Sequence, residues 1–207
     1  MWKDIDVHIL MSVNLAHHQI LDIFMAMVSN KYSWIWLYLF ILGMSFRKLG
    51  PRFIFFLLFA VLTFAFTDLT SVYAFKEVFQ RLRPCHTPEL MDYLHQVVPC
   101  GGQYGFVSSH AANTAGIAVF TLYSGVLHYH MPVAKKFFFS ALLCLYVLLN
   151  SYSRVYLGVH FPSDVLAGIA LGVSIGLGTG LLWKNTVEKP TRGKLRSPKQ
   201  TLQRKEP

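Results

Sequence analysis

The stretch FIFFLLFAVLTFAFTDLTSVYAF, residues 53–75, is a run of apolar side chains with a single formal charge, Asp68. A helix needs about 17 to 25 mostly apolar residues to cross the hydrocarbon core of a bilayer, so this run is long enough. Three further uncharged runs and one shorter run flanked by basic residues lie at residues 111–127, 137–153, 165–183 and 32–46. Together they predict an all-α, polytopic membrane helix bundle with five or six transmembrane helices.

The first thirty residues fit no single pattern. The stretch DIDVHILMSVNLAHH, residues 4–18, alternates polar and apolar positions as an interfacial helix does. The stretch ILDIFMAMVSN, residues 20–30, is apolar but too short to cross a bilayer alone. We therefore expect an interfacial N-terminal helix, and a sixth span in this region stays open.

The composition agrees with a membrane protein. Of the 207 residues, 54% are hydrophobic and 14% are charged, whereas soluble domains carry about a quarter charged residues. Much of the net charge of +9 comes from a proline-containing tail. This distribution argues against nucleic-acid binding. It predicts a membrane-embedded domain at residues 1–183 and a basic, disordered cytoplasmic tail at residues 184–207.

Lys and Arg in short loops indicate which side of the membrane is cytoplasmic. Such residues lie between the first two spans, between the third and fourth, and after the fifth, at Arg47, Lys48, Arg52, Lys135, Lys136 and in the tail. These places fall on one side by alternation. The loops at residues 80–107 and 154–163 are therefore predicted to face outward.

Two cysteines, Cys85 and Cys100, lie in the first outward loop. An extracytoplasmic compartment permits disulfides, and a bridge here would stabilise the chain by about 3 kcal/mol. We expect a Cys85–Cys100 disulfide, with two free thiols as the alternative. No pair of cysteines lies at zinc-binding spacing from histidines, and neither a metal nor a cofactor is expected.

Three polar clusters lie at the outward ends of the spans: residues 76–84, 108–110 and 153–164. Lys76, Arg83 and Arg154 would place three positive charges together, and such a pocket repels itself unless it holds an anion. Arginine forks match phosphate oxygens, and a helix that begins near Ser108 adds backbone N–H donors and a positive dipole end. The clusters therefore predict a phosphate-binding site.

Two histidines and a carboxylate supply the remaining chemistry. His160 and Asp164 suit a nucleophile and its orienting group, because a carboxylate on one ring N–H leaves the other nitrogen free to attack. His110 would then protonate the leaving group. Taken singly, each polar residue has a simpler role, such as a helix cap or a side chain that reaches lipid head groups. Those roles do not explain three clusters on one face.

The clusters resemble the motifs of the type-2 phosphatidic acid phosphatase superfamily of membrane lipid phosphatases, K-x6-R-P, P-S-G-H and S-R-x5-H-x3-D. The resemblance covers roughly residues 50–180. The first and third motifs are complete, with Lys76, Arg83, Pro84, Ser153, Arg154, His160 and Asp164. The middle motif reads Val107-Ser108-Ser109-His110, so that Val replaces Pro and Ser replaces Gly.

The resemblance implies a phosphohistidine mechanism that uses no metal. By this similarity, His160 attacks phosphorus, Asp164 orients it, and His110 protonates the leaving oxygen. The residues implied to hold the phosphate are Lys76, Arg83, Ser108, Ser109 and Arg154. The backbone N–H of Ser109 can replace that of the family's Gly unless this position needs a positive φ.

We therefore expect an integral membrane phosphatase that acts on a lipid-linked phosphate or diphosphate at the periplasmic face of a bacterial inner membrane. Undecaprenyl diphosphate and lipid A are the favoured substrates, with phosphatidylglycerol phosphate and phosphatidate as alternatives. A catalytically inactive lipid-binding scaffold would also fit the spans, but no expected catalytic residue is missing. Vanadate-dependent haloperoxidases share the motifs but are soluble, and a transporter would show broken helices in two halves. The oligomeric state stays open.

Some features outside the motifs also need an explanation. Asp68 is costly inside a span, and we expect it to pair with Lys76 or with a polar group of a neighbouring helix. Arg81 matches no motif position and is interpreted as a lipid head-group contact. A four-residue stripe of small residues is predicted to pack closely against another helix, at Gly168, Gly172, Gly176 and Gly180.

Overall fold

The computed structural model describes residues 2–124 and 132–188, and this part of the chain forms helices and loops without a β-strand. The helices are α1 (Trp2–Asn14), α2 (Gln19–Ser29), α3 (Ile35–Leu49), α4 (Phe53–Leu69), α5 (Glu77–Phe79), α6 (Pro88–Met91), α7 (Ser109–Tyr123), α8 (Val133–Tyr156) and α9 (Pro162–Trp183). Three 3₁₀ turns and two π-helical segments join or extend them, at Lys31–Trp34, Gly50–Arg52, Pro84–His86, Thr70–Lys76 and Lys184–Glu188.

Three helical segments of the described residues are long and apolar enough to cross a membrane: Lys31–Phe79, Val133–Tyr156 and Pro162–Glu188. The pair α1 and α2, bent by 117°, adds a fourth if it counts as one span. The prediction of an all-helical membrane bundle is confirmed, whereas five or six spans are not. One reason is that α7 has only 15 residues, and residues 125–131 of its predicted span lie outside the described part.

The segment Lys31–Phe79 has 49 residues, more than twice what one span needs. It folds back on itself at the 3₁₀ turn Gly50–Arg52, where Gly50 has a φ of +54° and Pro51 precedes the start of α4. Across this turn the rings of Phe46 and Phe53 lie 5.4 Å apart. The segment is thus a helical hairpin whose two legs, α3 and α4, pack against each other.

Helices α7 and α9 form the tightest pair in the bundle. The stripe of glycines on α9 faces α7, as the sequence predicted. A Cβ at position 168 or 176 would lie 2.5 or 2.6 Å from the carbonyl oxygen of Ser108 or Gly116. Real Cβ atoms essentially never come this close, so the two backbones touch only because α9 has no side chains along the stripe.

The bundle has one end that carries the polar clusters, which we call the site end. The C-terminal ends of α4 and α8 and the N-terminal ends of α7 and α9 meet there. Helix α1 packs across this end, where Leu10 joins Val155, Phe161 and Val165 in one buried cluster. Away from it, α4 exposes an apolar face that suits contact with lipid tails, formed by Phe55, Leu58, Leu62 and Phe66.

Two predictions concern the loop and the tail. Cys85 and Cys100 form a disulfide, and their Cα atoms lie 6.0 Å apart. The bridge closes the loop that leads from α5 to α7. Residues 184–188 continue α9 as a π-helical turn, and the rest of the predicted tail, residues 189–207, lies outside the described residues.

Candidate active site

The structure brings the three predicted clusters together at the site end. Helix α4 ends in the π-helical segment Thr70–Lys76, and wider turns of this kind often occur at functional sites. From its last residue, Lys76 Nζ donates a hydrogen bond of 2.5 Å to Ser109 Oγ at the start of α7. Arg83, from the loop after α5, reaches His160 in the loop between α8 and α9. Residues from four parts of the chain therefore share one pocket.

His160 is 1% exposed, and its two ring nitrogens have different neighbours. Arg83 Nη1 lies 2.8 Å from Nε2, and because a guanidinium can only donate, Nε2 must accept. The neutral ring therefore carries its proton on Nδ1, which lies 3.5 Å from Asp164 Oδ2. Burial, together with the charges of Arg83 and Arg154, lowers the pKa of His160 well below 6.5. His160 thus has an unprotonated Nε2 at neutral pH, as a nucleophile requires, and the lone pair of this nitrogen accepts the hydrogen bond from Arg83.

Arg83 is held in place by backbone carbonyl groups. Its Nε donates to Gly102 O at 2.6 Å, and Nη1 also donates to Val159 O at 3.2 Å. Gly105 leaves the space that this arrangement needs, because a Cβ there would lie 3.1 Å from Asp164 Oδ2 and 3.2 Å from Arg83 Cγ. Burial lowers the pKa of Arg83, but a guanidinium remains charged in proteins.

The start of α7 contributes Ser108, Ser109 and His110. Ser108 stands at the N-cap position, but its side chain makes no capping hydrogen bond, contrary to the simplest interpretation. Its backbone N–H instead donates to Asp164 O at 2.9 Å. Ser109 has no positive φ, since Gln80 is the only such non-glycine residue of those described. The replacement of the motif Gly by Ser109 therefore leaves an ordinary helix start, and His110 follows on its exposed side.

Several buried polar atoms of the predicted site residues lack hydrogen-bond partners. Among the described residues, four buried side-chain nitrogen or oxygen atoms make no hydrogen bond: Ser108 Oγ, Ser151 Oγ, Arg154 Nε and His160 Nδ1. Three of the four belong to predicted site residues. Buried polar groups are nearly always paired in proteins, so such a group of exceptions calls for an explanation. The Ser108 hydroxyl and the Arg154 Nε–H are donors that suit phosphate oxygens.

A sequence profile of the PAP2 superfamily matches residues 53–188, which is more than half of the chain. The chain belongs to the PAP2 superfamily. The match contains every residue to which the motifs assigned a role, so the family resemblance inferred from the sequence is confirmed. The residues before position 53, including α1 and α2, lie outside it.

Individual PAP2 relatives agree with this assignment. The chain is 32% identical over 175 residues to a Porphyromonas gingivalis protein named lipid A 4′-phosphatase, with 84% of this chain and 70% of that protein covered. A protein of the same name from Bacteroides thetaiotaomicron is 31% identical over 173 residues, covering 82% and 73%. The match and the membrane helices make the chain a lipid phosphatase of the PAP2 type.

A solved PAP2 structure shows the same fold. The crystal structure of a transmembrane PAP2-type phosphatidylglycerolphosphate phosphatase from Bacillus subtilis superimposes with a TM-score of 0.68. The alignment covers 90% of this chain and 87% of that chain at 23% identity. At this identity the likeness concerns the fold alone.

Arg81, which the sequence suggested as a head-group contact, has other partners in this PAP2 structure. Its Nη1 donates to Asp164 Oδ1 at 2.8 Å and its Nη2 to Asp6 Oδ2 at 2.6 Å. The side chain of Arg81 also lies 4.2 Å from the ring centre of Phe161. Asp6 was not singled out from the sequence, because it looks like one of several polar positions of an amphipathic helix.

Two further contacts complete the surroundings of the PAP2 site. Arg154 Nη1 donates to Ser29 Oγ of α2, which was also missed from the sequence. Asp68, inside α4, accepts a hydrogen bond of 3.1 Å from Asn113 Nδ2. Asp68 thus pairs with a polar group of a neighbouring helix, one of the two alternatives that the sequence left open.

A mostly apolar cavity of about 400 Å³ opens between α3, α4, α7 and α8. Asn113 and Thr114, one helical turn after His110, form its polar end. Most of the remaining lining is apolar or aromatic, and Lys31 and Thr121 add two further polar side chains. The cavity therefore leads from the neighbourhood of His110 along the membrane-spanning helices.

A separate cluster has the residue types of a metal site. His17, Asp22 and His95 offer ligand atoms that lie within 4.8 Å of one another, and no other such group occurs among the described residues. The rings of His17 and His95 stack with centres 3.7 Å apart and an angle of 11°. Ring lone pairs lie in the ring planes, so two stacked rings do not point at one ion. None of these residues is among those assigned to the PAP2 site.

Proposed function

We propose that this chain hydrolyses a phosphate group on a lipid at the periplasmic face of a bacterial inner membrane, through a phosphohistidine intermediate on His160. The observation that carries the proposal is the arrangement around His160. Its Nε2 is unprotonated and accepts a hydrogen bond from Arg83, and the unpaired donors of Ser108 and Arg154 lie near it. A phosphate would satisfy both donors and place phosphorus next to the nucleophile.

The reaction has two balanced steps. In the first, the Nε2 lone pair attacks phosphorus, the bond to the lipid oxygen breaks, and His110 gives that oxygen a proton. In the second, water attacks the phosphohistidine, His110 takes a proton from the water, and the P–N bond returns its electrons to His160. A phosphate oxygen is a better acceptor for Arg83 than a neutral imidazole, so substrate binding frees Nε2.

Cationic side chains balance the charge that develops on the phosphate. Lys76, Arg83 and Arg154 surround the pocket, and the N-terminus of α7 adds the backbone N–H of Ser109 and a positive dipole end. These groups supply the electrostatic role that a divalent ion plays in other phosphatases. We therefore propose that the activity is independent of metal.

Lipid A is the substrate that we favour, with undecaprenyl diphosphate as the next candidate. Two bacterial relatives that align with over four-fifths of this chain are named lipid A 4′-phosphatases. The apolar cavity beside His110 suits an acyl chain of a lipid whose phosphate lies in the pocket. The likeness to a phosphatidylglycerolphosphate phosphatase keeps that lipid as an alternative.

The test is phosphate release in detergent with EDTA, from lipid A, undecaprenyl diphosphate, phosphatidylglycerol phosphate and phosphatidate. We expect the highest kcat/KM with lipid A. His160→Ala should lose at least about 10³-fold in kcat, and His110→Ala should lose about 10²-fold to 10⁴-fold. His86→Ala, which changes a half-buried histidine in the loop after α5 that has no assigned role, is the matched control.

The outcomes separate the candidates. Turnover by His160→Ala at the wild-type rate contradicts the phosphohistidine mechanism, and loss of activity in EDTA contradicts metal independence. A lipid-binding scaffold without activity would release phosphate from none of the four lipids.

A further inference from the structure

The bridge made by Arg81 joins the N-terminal helix to the catalytic carboxylate. Arg81 Nη1 donates to Asp164 Oδ1 and, at 2.6 Å, to Ser163 Oγ, while Nη2 donates to Asp6 Oδ2. Asp6 in turn accepts the backbone N–H of Ser163 at 2.9 Å and the hydroxyl of Ser163. We call these four residues, Asp6, Arg81, Ser163 and Asp164, the Arg81 bridge.

The side chains of the bridge are largely removed from solvent. The side chain of Asp164 is 0% exposed, that of Asp6 is 12% exposed and that of Arg81 is 28% exposed. Two carboxylates thus share one guanidinium away from bulk water, where ion pairs are screened less than at the surface. Both Nη atoms of Arg81 donate to these partners, so Arg81 is not among the cations to which we assign phosphate binding.

The bridge decides which oxygen of Asp164 faces His160. A free arginine fork grips both oxygens of a carboxylate in a bidentate way. Here Nη2 of Arg81 donates to Asp6 instead. Asp164 therefore accepts a hydrogen bond from Nη1 alone, and its accepting atom is Oδ1. Oδ2 is left for the backbone N–H of Phe161, at 3.0 Å, and for His160 Nδ1, at 3.5 Å.

We propose that Asp6 is a positioning residue for the Asp164–His160 pair and acts by preventing Arg81 from gripping both oxygens of Asp164. This inference rests on the proposed function of His160. Asp6 lies outside the segment that matches the PAP2 superfamily, so the site requires a residue that the family motifs do not contain. Without the carboxylate at position 6, Arg81 draws Oδ2 away from His160, and the imidazole loses its orientation.

The experiment is a double-mutant cycle on kcat and KM for lipid A in detergent. Asp6→Asn should lower kcat about tenfold and leave KM nearly unchanged, because the phosphate-binding groups stay in place. In an Asp164→Asn background, the same change should have little further effect, since there is no carboxylate left to position. A purely structural role of Asp6 would lower activity by the same factor in both backgrounds.

Asp22→Asn is the matched control. Its side chain is 15% exposed and accepts a hydrogen bond from Tyr156 of α8 at 2.7 Å, but it does not contact the Arg81 bridge. It should leave kcat unchanged even if it lowers the melting temperature. Asp6→Glu, which keeps the charge, should retain more activity than Asp6→Asn.

Several results would overturn the inference. An unchanged kcat in Asp6→Asn would overturn it. An equal loss of kcat in the wild-type and Asp164→Asn backgrounds would overturn it as well. If Asp6→Asn does not elute as a folded protein, Asp6→Ser carries the same test, because it likewise leaves Nη2 of Arg81 without a carboxylate partner. Its loss of kcat must then also vanish in the Asp164→Asn background. His160→Ala, run beside these variants, separates a failure of the proposed mechanism from a failure of this inference alone.

Discussion

The N-terminal region, residues 2–52, and the segment matched to the PAP2 superfamily, residues 53–188, contribute different things to one active site. All residues to which we assign a role in phosphate binding or proton transfer lie in the second segment. The first supplies contacts behind those groups: Asp6 contacts Arg81, and Ser29 contacts Arg154. The family motifs therefore locate the side chains that we propose to react. Some of the contacts that orient these side chains come from residues outside the segment matched to the PAP2 superfamily.

The two regions are also held by different forces. The matched segment depends on the close approach of α7 and α9, which the glycine stripe permits. Helices α1 and α2 are attached by hydrogen bonds that involve side chains and by the small buried clusters that contain Leu10 and Met25, whereas α3 joins the core around Phe56. Single hydrogen bonds contribute about 1 kcal/mol, less than the cost of overfilling a packed interface. Substitutions in the two regions should therefore differ in kind and in size.

The largest effect should follow from Gly172→Ala in the matched segment. A Cβ there would lie 2.9 Å from both Ala115 Cβ and Gly116 N of α7, so the helices must separate. We expect a loss of about 1 to 3 kcal/mol in stability, measured by thermal unfolding in detergent. Gly178→Ala on the same helix, where nothing lies within 4 Å, is the control. An equal melting temperature for both variants would show that this packing does not hold the segment together.

The next effect concerns pH and again belongs to the matched segment. Since burial lowers the pKa of His160, the folded protein binds fewer protons at this ring than the unfolded chain below pH 6.5. Stability should therefore fall as the pH decreases below that value, with a slope that approaches about 1.4 kcal/mol per pH unit. His160→Asn should lack this contribution in unfolding experiments across the same pH range. Identical slopes for both proteins would contradict the shifted pKa.

A smaller effect should follow in the N-terminal region from Ser29→Ala. Arg154 loses the hydroxyl that holds its Nη1, so the guanidinium has more freedom in the phosphate pocket. We expect kcat/KM to fall about fivefold, mainly through KM. Ser12→Ala, which removes an exposed hydrogen bond within α1, is the matched control. A loss confined to kcat would indicate that Ser29 acts on the chemical step rather than on phosphate binding.

The smallest effect should follow from Ser109→Gly, which restores the family residue. Ser109 Oγ accepts from Lys76 Nζ and lies 2.6 Å from Ser71 Oγ. Both hydrogen bonds are lost, but the backbone N–H stays. We expect kcat/KM to change by less than about threefold. Ser71→Ala removes only the contact between Ser71 and Ser109 and keeps the hydrogen bond from Lys76. If Ser109 alone orients Lys76, Ser71→Ala should have wild-type activity.

Much of the candidate active site could be predicted from the sequence. Its motifs lie at the ends of spans, and because successive spans cross the membrane in opposite directions, these ends fall on one side of the membrane. The short spacing of the third motif also predicts that its residues lie close together, between the end of one helix and the start of the next. These residues are Arg154, His160 and Asp164. The contacts of Asp6 and Ser29 were not accessible, since they join residues 157 and 125 positions apart and depend on how α1 and α2 lie against the bundle. The number of spans was uncertain because α7 is short and α1 and α2 meet at a bend of 117°.

The separation of Asp6 from Ser163 also has a consequence for biosynthesis. Asp6 emerges from the ribosome 157 residues before its partner in α9. The polar face of α1 must therefore wait beside the membrane until α9 has been inserted. Only then does Arg81 acquire both of its carboxylates, so the Asp164–His160 pair is completed by the insertion of α9. A nascent chain that stops before α9 holds most of the phosphate-binding side chains but has neither Asp164 nor the contact that orients it.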